Sequence, residues 1–496
     1  MSTVETRLIN QQQYQGGMYI NGRHLPVQNP LPIPNPARLT EVVGTIPKGT
    51  IAECHQAVEA ANAAFPAWSS LSIDERARMV SKAHEAIVPG MDDRAVLPSR
   101  ENGKTRIEGW FDCMGAKRCV EYYVNLAKDF QLEWELPTPN GRVMVTRKAM
   151  GVAGIIVPWN APVLLAYLGV APALIAGNTV VVKPSNFVPL ALIDTVRLMA
   201  EQLPPGVLNV ITGPGSAIGK ELASHPLVRR MIFTGSVEVG KQVLLDAAST
   251  VKRCTMELGG NDPAIILPDA NLDTAVPGIL KGVFTCSGQI CYDIKRIYVH
   301  RSLYPTFVKR FTEAADQMVV GNGLDPNVTM GPVTTESQYQ FVNELIAKTK
   351  ANPSAKVVEV GKKAVSAEEW KNGYFIAPHI ATNVTQKDEV VCCEQFGPII
   401  PIMPFDTEDE AVRLANDSEF GLASSIWTED VNHGWELARR IDAGTTFINT
   451  HAVASAVDMP FGGFKWSGLG RGHGEVALEE QYELQTLSTR KLSQGN

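Results

Sequence analysis

Apolar residues after position 50 recur at helical spacing. Ile51, Cys54, Val58, Ala61 and Phe65 fall on one face of a helix opened by the capping box Thr50-x-x-Glu53, and Ser72-x-x-Glu75 opens a second. From residue 152 the pattern changes to short β-branched runs, at 152–157, 179–182, 207–211 and 231–233. Each is closed by Gly, Pro or Asn and followed by a helical stretch. That alternation builds a parallel sheet with helices on both faces, and such sheets bind ligands beyond the carboxyl ends of their strands. A second α/β series begins near Pro263, with runs at 264–267, 296–300, 399–402 and 445–448. Fold class is therefore α/β, with two sheet-centred units.

Three segments stand outside this grammar. Residues 29–36 carry so many prolines that only extended chain and turns suit them. Residues 132–145, with a turn at Asn140-Gly141, and the tail after Leu478 look strand-like and peripheral. A hairpin and a terminal strand standing off their own core expose edges unless another chain covers them, which points to subunit contact.

Composition narrows the function. The 496 residues are 45% apolar and 20% charged, enough for several cores and unlike a disordered chain. A net charge of −7 without basic blocks argues against a nucleic-acid partner. The longest apolar stretch, 162–176, is short of the roughly 20 residues that span a bilayer, so no membrane segment is expected. The first fifteen residues have neither a secretory nor a transit layout, so the expected location is cytoplasmic. Eight cysteines without C-x-x-C spacing read as reduced thiols, and nine histidines without a ligand spacing suggest no metal.

Two glycine motifs follow strands. Gly213-Pro-Gly215-Ser-Ala-Ile-Gly219 is one residue too long for a dinucleotide fingerprint. Gly235-Ser-Val-Glu-Val-Gly240-Lys241 approaches a phosphate-cradling loop, but Gln242 stands where a hydroxyl must ligate magnesium, which weakens a nucleotide hydrolase reading. Both fit tight strand-to-helix turns, and both fit helix starts suited to a pyrophosphate. Chemistry is carried elsewhere. Cys291 follows Gly288-Gln289 near an expected helix, with Lys295 and Arg296 downstream to favour a thiolate. Glu257 lies among small residues in Glu257-Leu-Gly-Gly260, and Asn160 sits between prolines in Pro158-Trp159-Asn160-Ala161-Pro162.

Taken with Lys183-Pro184-Ser185, Glu394-x-Phe396-Gly397-Pro398 and Pro460-Phe-Gly-Gly463, these motifs resemble the aldehyde dehydrogenase superfamily in order and spacing, over nearly the whole chain. The resemblance implies a Rossmann-like cofactor domain (1–128 and 149–257), a catalytic α/β domain (258–477) and a protruding β oligomerisation arm (129–148 and 478–496). It also implies a homodimer or homotetramer. Cys291 would attack an aldehyde, the oxyanion being held by the Asn160 amide and the Cys291 N–H, each donor worth roughly 3 kcal/mol. Hydride would leave for the nicotinamide, and Glu257 would activate water to hydrolyse the thioester.

By the same resemblance Lys183, Ser185 and Asn186 would meet the adenosine ribose. Gly215, Gly235, Ser236 and Gly240 would meet the pyrophosphate, Glu394 and Phe396 the nicotinamide ribose, and Ile156 and Trp159 the route to the ring. Asn186 departs from the Glu that many NAD-preferring relatives carry, which puts NAD first and leaves NADP open. Gly115, Ala161, Leu168, Ala452 and Ala454 fall where relatives often carry bulk. With Leu164, Tyr292 and Phe461 they imply a roomy pocket for a bulky or aromatic aldehyde. The rivals are a CoA-acylating dehydrogenase, against which Glu257 weighs, and a non-catalytic binding protein on the same scaffold, against which the intact nucleophile and base weigh.

Overall fold

The structure is a computed structural model and describes residues 13–139, 141–451 and 456–490. Both helices expected after residue 50 form, as Ile51–Ser69 and Ile73–Glu85, each with the reciprocal capping box. The first buries Cys54, Ala57, Val58, Ala61 and Trp68. Ile51, expected on that face, is 48% exposed at the first turn of the helix.

Five parallel strands form the middle of an eight-stranded sheet: Arg253–Glu257, Val228–Thr234, Val152–Ile156, Thr179–Lys183 and Leu208–Val210, in that spatial order. Val152–Ile156 and Thr179–Lys183 are buried at every position, as strands covered on both faces must be. Chain order reverses beside Val152–Ile156, whose neighbours are Thr179–Lys183 and Val228–Thr234. The crevice at that switch point lies beyond Ile156 and Thr234. Antiparallel strands close both edges: Met18–Ile20 with Arg23–Leu25 on one, and Gly468–Leu469 against Met256 and Glu257 on the other. The latter pairing brings chain from the far end of the sequence into the first sheet.

The second sheet has seven strands. Asp262–Ile266 and Ile294–His300 lie at its centre, six strands run parallel, and Lys356–Glu359 is antiparallel at one edge. Tyr482–Arg490 pairs along its length with Gly141–Ala149, which pairs in turn with Glu133–Leu136. The proline-dense segment is itself a strand, Pro30–Asn35, on the edge of a small sheet against Arg38–Pro47. Prolines at alternate positions 30, 32 and 34 are tolerated there because an edge strand needs only every second N–H. Among the described residues no helix is long and apolar enough to cross a membrane, and no three His, Cys, Asp or Glu side chains are grouped to hold a metal. All eight cysteines are free thiols.

Candidate active site

The turns that leave the C-terminal ends of the central strands face two segments of the second sheet's unit, 289–292 and 394–396. Between them lies a cavity of about 230 Å³, lined by Trp159, Asn160, Thr234, Gly235, Ser236, Gly259, Cys291, Gln338, Glu394 and Phe396 among others.

Asn160 is 4% exposed and its Nδ2 donates to the Gln289 carbonyl at 3.0 Å. An amide nitrogen carries two N–H groups, so one remains for a second acceptor. The Asn102 amide donates to the Trp159 carbonyl at 2.9 Å and pins this turn. Trp159 meets Phe396 edge to face, with ring centroids 5.5 Å apart.

Cys291 does not sit at a helix start. The expected nearby helix, Leu272–Phe284, ends upstream in a tight turn, Thr285–Gly288, in which Cys286 and Ser287 take positive φ of 49° and 62°. Lys295 supplies the positive charge instead. Its buried Nζ donates to the carbonyls of Ile290 at 2.9 Å, Cys291 at 2.8 Å and Asp293 at 3.1 Å, clamping the nucleophile's turn. Gly260 permits the approach, since a Cβ there would stand 2.6 Å from the Cys291 carbonyl oxygen. Burial pushes the Cys291 thiol well up, with Lys295 opposing and Glu394, Glu257 and Asp262 adding to the rise. Burial thus favours the thiol over the thiolate.

Glu257, the last residue of its strand, does not line this cavity. Its Oε1 accepts from the Gly472 N–H at 3.2 Å, while Oε2 is enclosed without a partner. Burial raises its carboxyl to about 8, against lowering by the Gly472 N–H and Arg471. Its charge is nonetheless felt at Cys291.

The residues expected at a dinucleotide divide into two groups. Ser236 caps the Val237–Ala248 helix, whose first N–H groups open beside Gly235 toward the cavity. The Glu394 Oε1 accepts from the Gly260 N–H at 2.9 Å, and its Oε2 lies so close over Gly259 that a Cβ there would be 2.3 Å away. Gly215 is exposed, with nothing within 4 Å of where its Cβ would stand. Lys183 is buried, which lowers its ammonium to about 8, and donates to the Pro184 carbonyl at 3.1 Å. Beside it, Asn186 holds an enclosed side-chain oxygen without a partner, and the Ser185 hydroxyl accepts from the Phe187 N–H at 3.3 Å. An orphaned amide oxygen, an open glycine and a free helix start suit a ribose and a pyrophosphate, so the residues fit a dinucleotide. Gly240 and Ile156 do not line this cavity. Gly240 makes room for Leu258, 2.5 Å from its missing Cβ, and Ile156 packs in the core. Lys241 lies against the Trp466 ring, 3.7 Å from its centroid, rather than in a phosphate loop.

A second cavity of about 220 Å³ lies on the other side of the Asn160–Ala161 and Ile290–Tyr292 segments. Gly115, Ala161, Leu164 and Tyr292 line it. The space left by Gly115 is taken by Leu164, whose Cδ1 stands 2.6 Å from the missing Cβ. Leu168 packs on the core, and Phe461 stacks on His473 and meets Tyr292 edge to face. Ala452 and Ala454 lie outside the described residues. The expected roominess is thus partly filled, at a volume below the roughly 300–1,000 Å³ of common ligand pockets. The sequence reading also missed the charges in this wall: Lys104, Glu108, Asp112, Arg118, Lys281 and Asp293. No motif marks them, because they come from the Arg106–Leu126 helix, its approach and two other segments. Gln338, which donates to the Gln395 and Phe396 carbonyls at 3.0 and 2.9 Å, was equally silent.

A thiol and an amide donor gathered beside a helix start at the switch point of a parallel sheet suit a nucleotide-dependent enzyme. The aldehyde dehydrogenase family model matches residues 26–487, and the chain belongs to that family and is an aldehyde dehydrogenase. It is 34% identical to glutarate-semialdehyde dehydrogenase of Pseudomonas aeruginosa, over 98% of this chain and 99% of the relative. It is 37% identical to human retinal dehydrogenase 2, over 96% and 90% respectively. A solved structure of betaine aldehyde dehydrogenase from Staphylococcus aureus in complex with NAD+ superposes with a TM-score of 0.92 at 32% identity, covering 99% of this chain and 97% of that one.

Proposed function

We propose that this enzyme oxidises an aldehyde to the carboxylic acid with NAD as acceptor, through a covalent intermediate on Cys291, with a bulky or aromatic aldehyde favoured. The observation that carries the reading is that one cavity is lined both by the start of the Val237–Ala248 helix and by Cys291 with Asn160.

Cys291 attacks the carbonyl carbon as the thiolate, which the Lys295 ammonium favours against the burial that opposes it. The resulting thiohemiacetal oxyanion accepts from the second N–H of Asn160 and from the Cys291 N–H. When bound, the nicotinamide supplies the hydride acceptor that lets this carbon become a thioester. Glu257 then takes a proton from water, which attacks the thioester and releases the acid. A carboxyl raised to about 8 is matched to that work near neutral pH. Glu394 and the Ser236 helix start hold the dinucleotide, with Lys183 and Asn186 at the adenosine ribose. NAD is favoured by the NAD+ complex of the structural relative, and the uncharged Asn186 leaves NADP admissible. Tyr292, Leu164, Ile290 and Phe111 give the second cavity apolar and aromatic surface. Leu136, Leu484 and Leu487, 43%, 63% and 50% exposed on the three-stranded sheet, support its use in a homodimer or homotetramer.

The test is a panel of aldehydes followed at the reduced-nicotinamide absorbance with each cofactor, with and without CoA, beside Cys291→Ser. Acid formation without CoA, abolished in the variant, is expected. Turnover surviving in Cys291→Ser, or a strict need for CoA, would overturn the reading.

A further inference from the structure

The cavity on the far side of Cys291 is lined by six Asp, Glu, Lys and Arg side chains whose charges are unevenly matched. Asp112 is neutralised by Lys104, Nζ to Oδ2 at 3.0 Å, with both side chains buried, and its Oδ1 accepts from the Leu164 N–H at 2.9 Å. Glu108 accepts from the Thr105 N–H and hydroxyl at 2.8 Å and from the Cys286 N–H at 2.7 Å. Asp293 accepts from the Ile290 N–H at 3.1 Å, and burial holds its carboxyl well above the usual range, toward the neutral form. Every acid is therefore paired, capped or suppressed. Two cations are not. Among the described residues the side chains of Arg118 and Lys281 make no ion pair or hydrogen bond. Arg118 is half-buried with its guanidinium 5.8 Å from the Phe111 ring centroid, and Lys281 is exposed in the last turn of the Leu272–Phe284 helix.

Resting on the aldehyde-oxidation reading above, we infer that the substrate carries a carboxylate at the end remote from its carbonyl, met by Arg118 and Lys281 at the outer part of this cavity. A guanidinium offers a planar fork of donors that fits a carboxylate bidentately, and a lysine on a flexible stem adds a movable second charge. Phe111 and Tyr292 then flank the apolar body between the two ends. The same two cations disfavour an aldehyde with a quaternary ammonium tail, because like charges would be brought together on binding.

The experiment compares 4-formylbenzoate with its methyl ester, which differ in charge while keeping the reacting group. The expected kcat/KM for the formylbenzoate is about tenfold higher, with the preference shrinking as salt is raised. Arg118→Gln with Lys281→Gln should bring the ratio near unity through KM for the formylbenzoate. Arg118→Lys with Lys281→Arg, which keeps both charges, should restore most of the preference. Calorimetric binding of terephthalate, the product dianion, gives a readout that needs no turnover and should weaken in the Gln pair. A ratio at or below one, a ratio unmoved by the Gln pair with terephthalate binding also unmoved, or faster oxidation of 4-(trimethylammonio)butanal overturns the inference. Failure of the protein to oxidise any aldehyde overturns the underlying reading instead, and terephthalate binding still reports on the two cations.

Discussion

Replacing Glu257 by Gln separates the chemistry of this residue from its cost to the fold. Moving a carboxyl from its ordinary 4.5 to about 8 corresponds to about 5 kcal/mol between its two protonation states. The cause is burial, and the one hydrogen bond to the Gly472 N–H only partly offsets it. Between those two pH values the folded protein holds a proton that the unfolded chain has released, so stability falls as pH rises through that window. Glu257→Gln removes the titration. Its stability relative to the wild type should therefore climb from pH 5 to pH 8, by a few kcal/mol once relaxation around the site is allowed. Kinetically the variant should keep a single-turnover burst of reduced cofactor and lose steady-state turnover at the thioester. In the wild type, the deacylation rate should rise with pH toward a plateau above about 8. The assays are denaturant unfolding of both proteins at several pH values and stopped-flow absorbance with an acid quench to trap the thioester. A stability difference that stays flat across pH, or a variant whose burst disappears with its turnover, would refute the assignment of Glu257 as a buried base for the second half-reaction.

Asn160→Ala removes one oxyanion donor and should lower kcat by about 10²–10³-fold with little change in KM for the cofactor, measured by steady-state kinetics. Gly259→Ala places a Cβ 2.3 Å from the Glu394 carboxylate and should raise KM for the dinucleotide while the burst per bound cofactor survives; an unchanged KM would detach Glu394 from the cofactor. Lys295→Met breaks three hydrogen bonds to the Cys291 turn and leaves buried carbonyls unpaired, at about 1–3 kcal/mol each. It should slow alkylation of Cys291 by iodoacetamide as well as turnover, since the thiol would be harder to ionise.

Much of this site was legible because the chemistry sits in short motifs at strand ends. Asn160, Gly235, Ser236, Glu257, Cys291 and Glu394 each lie within a few residues of a recognisable turn. The parallel sheet that brings several of those turns together was readable from its β-branched runs. What escaped the sequence has a common physical origin. The charged wall of the second cavity is assembled from the Arg106–Leu126 helix, its approach and two distant segments, with no local pattern to join them. Gly115 read as empty space, yet a glycine on a helix lets a neighbour advance, and Leu164 does so. Gly240 poses the same ambiguity, since a glycine that approaches a ligand and one that admits Leu258 look alike in one dimension. The helix expected near Cys291 ends upstream in a turn with two positive-φ residues, a geometry that Cys286 and Ser287 do not announce.

That turn explains why Lys295 matters beyond its hydrogen bonds. With no helix start aimed at the thiol, the local positive potential must come from a side chain. The same ammonium lowers the protonation tendency of Cys291, Asp262, Asp293 and Glu394, all of which burial pushes the other way. One cation thus opposes the effect of burial at four acids. A helix start would have stabilised the thiolate alone. A shared lysine instead couples the nucleophile to Glu394, the carboxylate expected at the cofactor ribose. Engaging Glu394 in hydrogen bonds to ribose hydroxyls withdraws part of its negative charge from the shared field, and that change falls on Cys291 in the direction that favours ionisation. If Glu394 holds the cofactor ribose as proposed, this arrangement of charges would link cofactor occupancy to thiol reactivity.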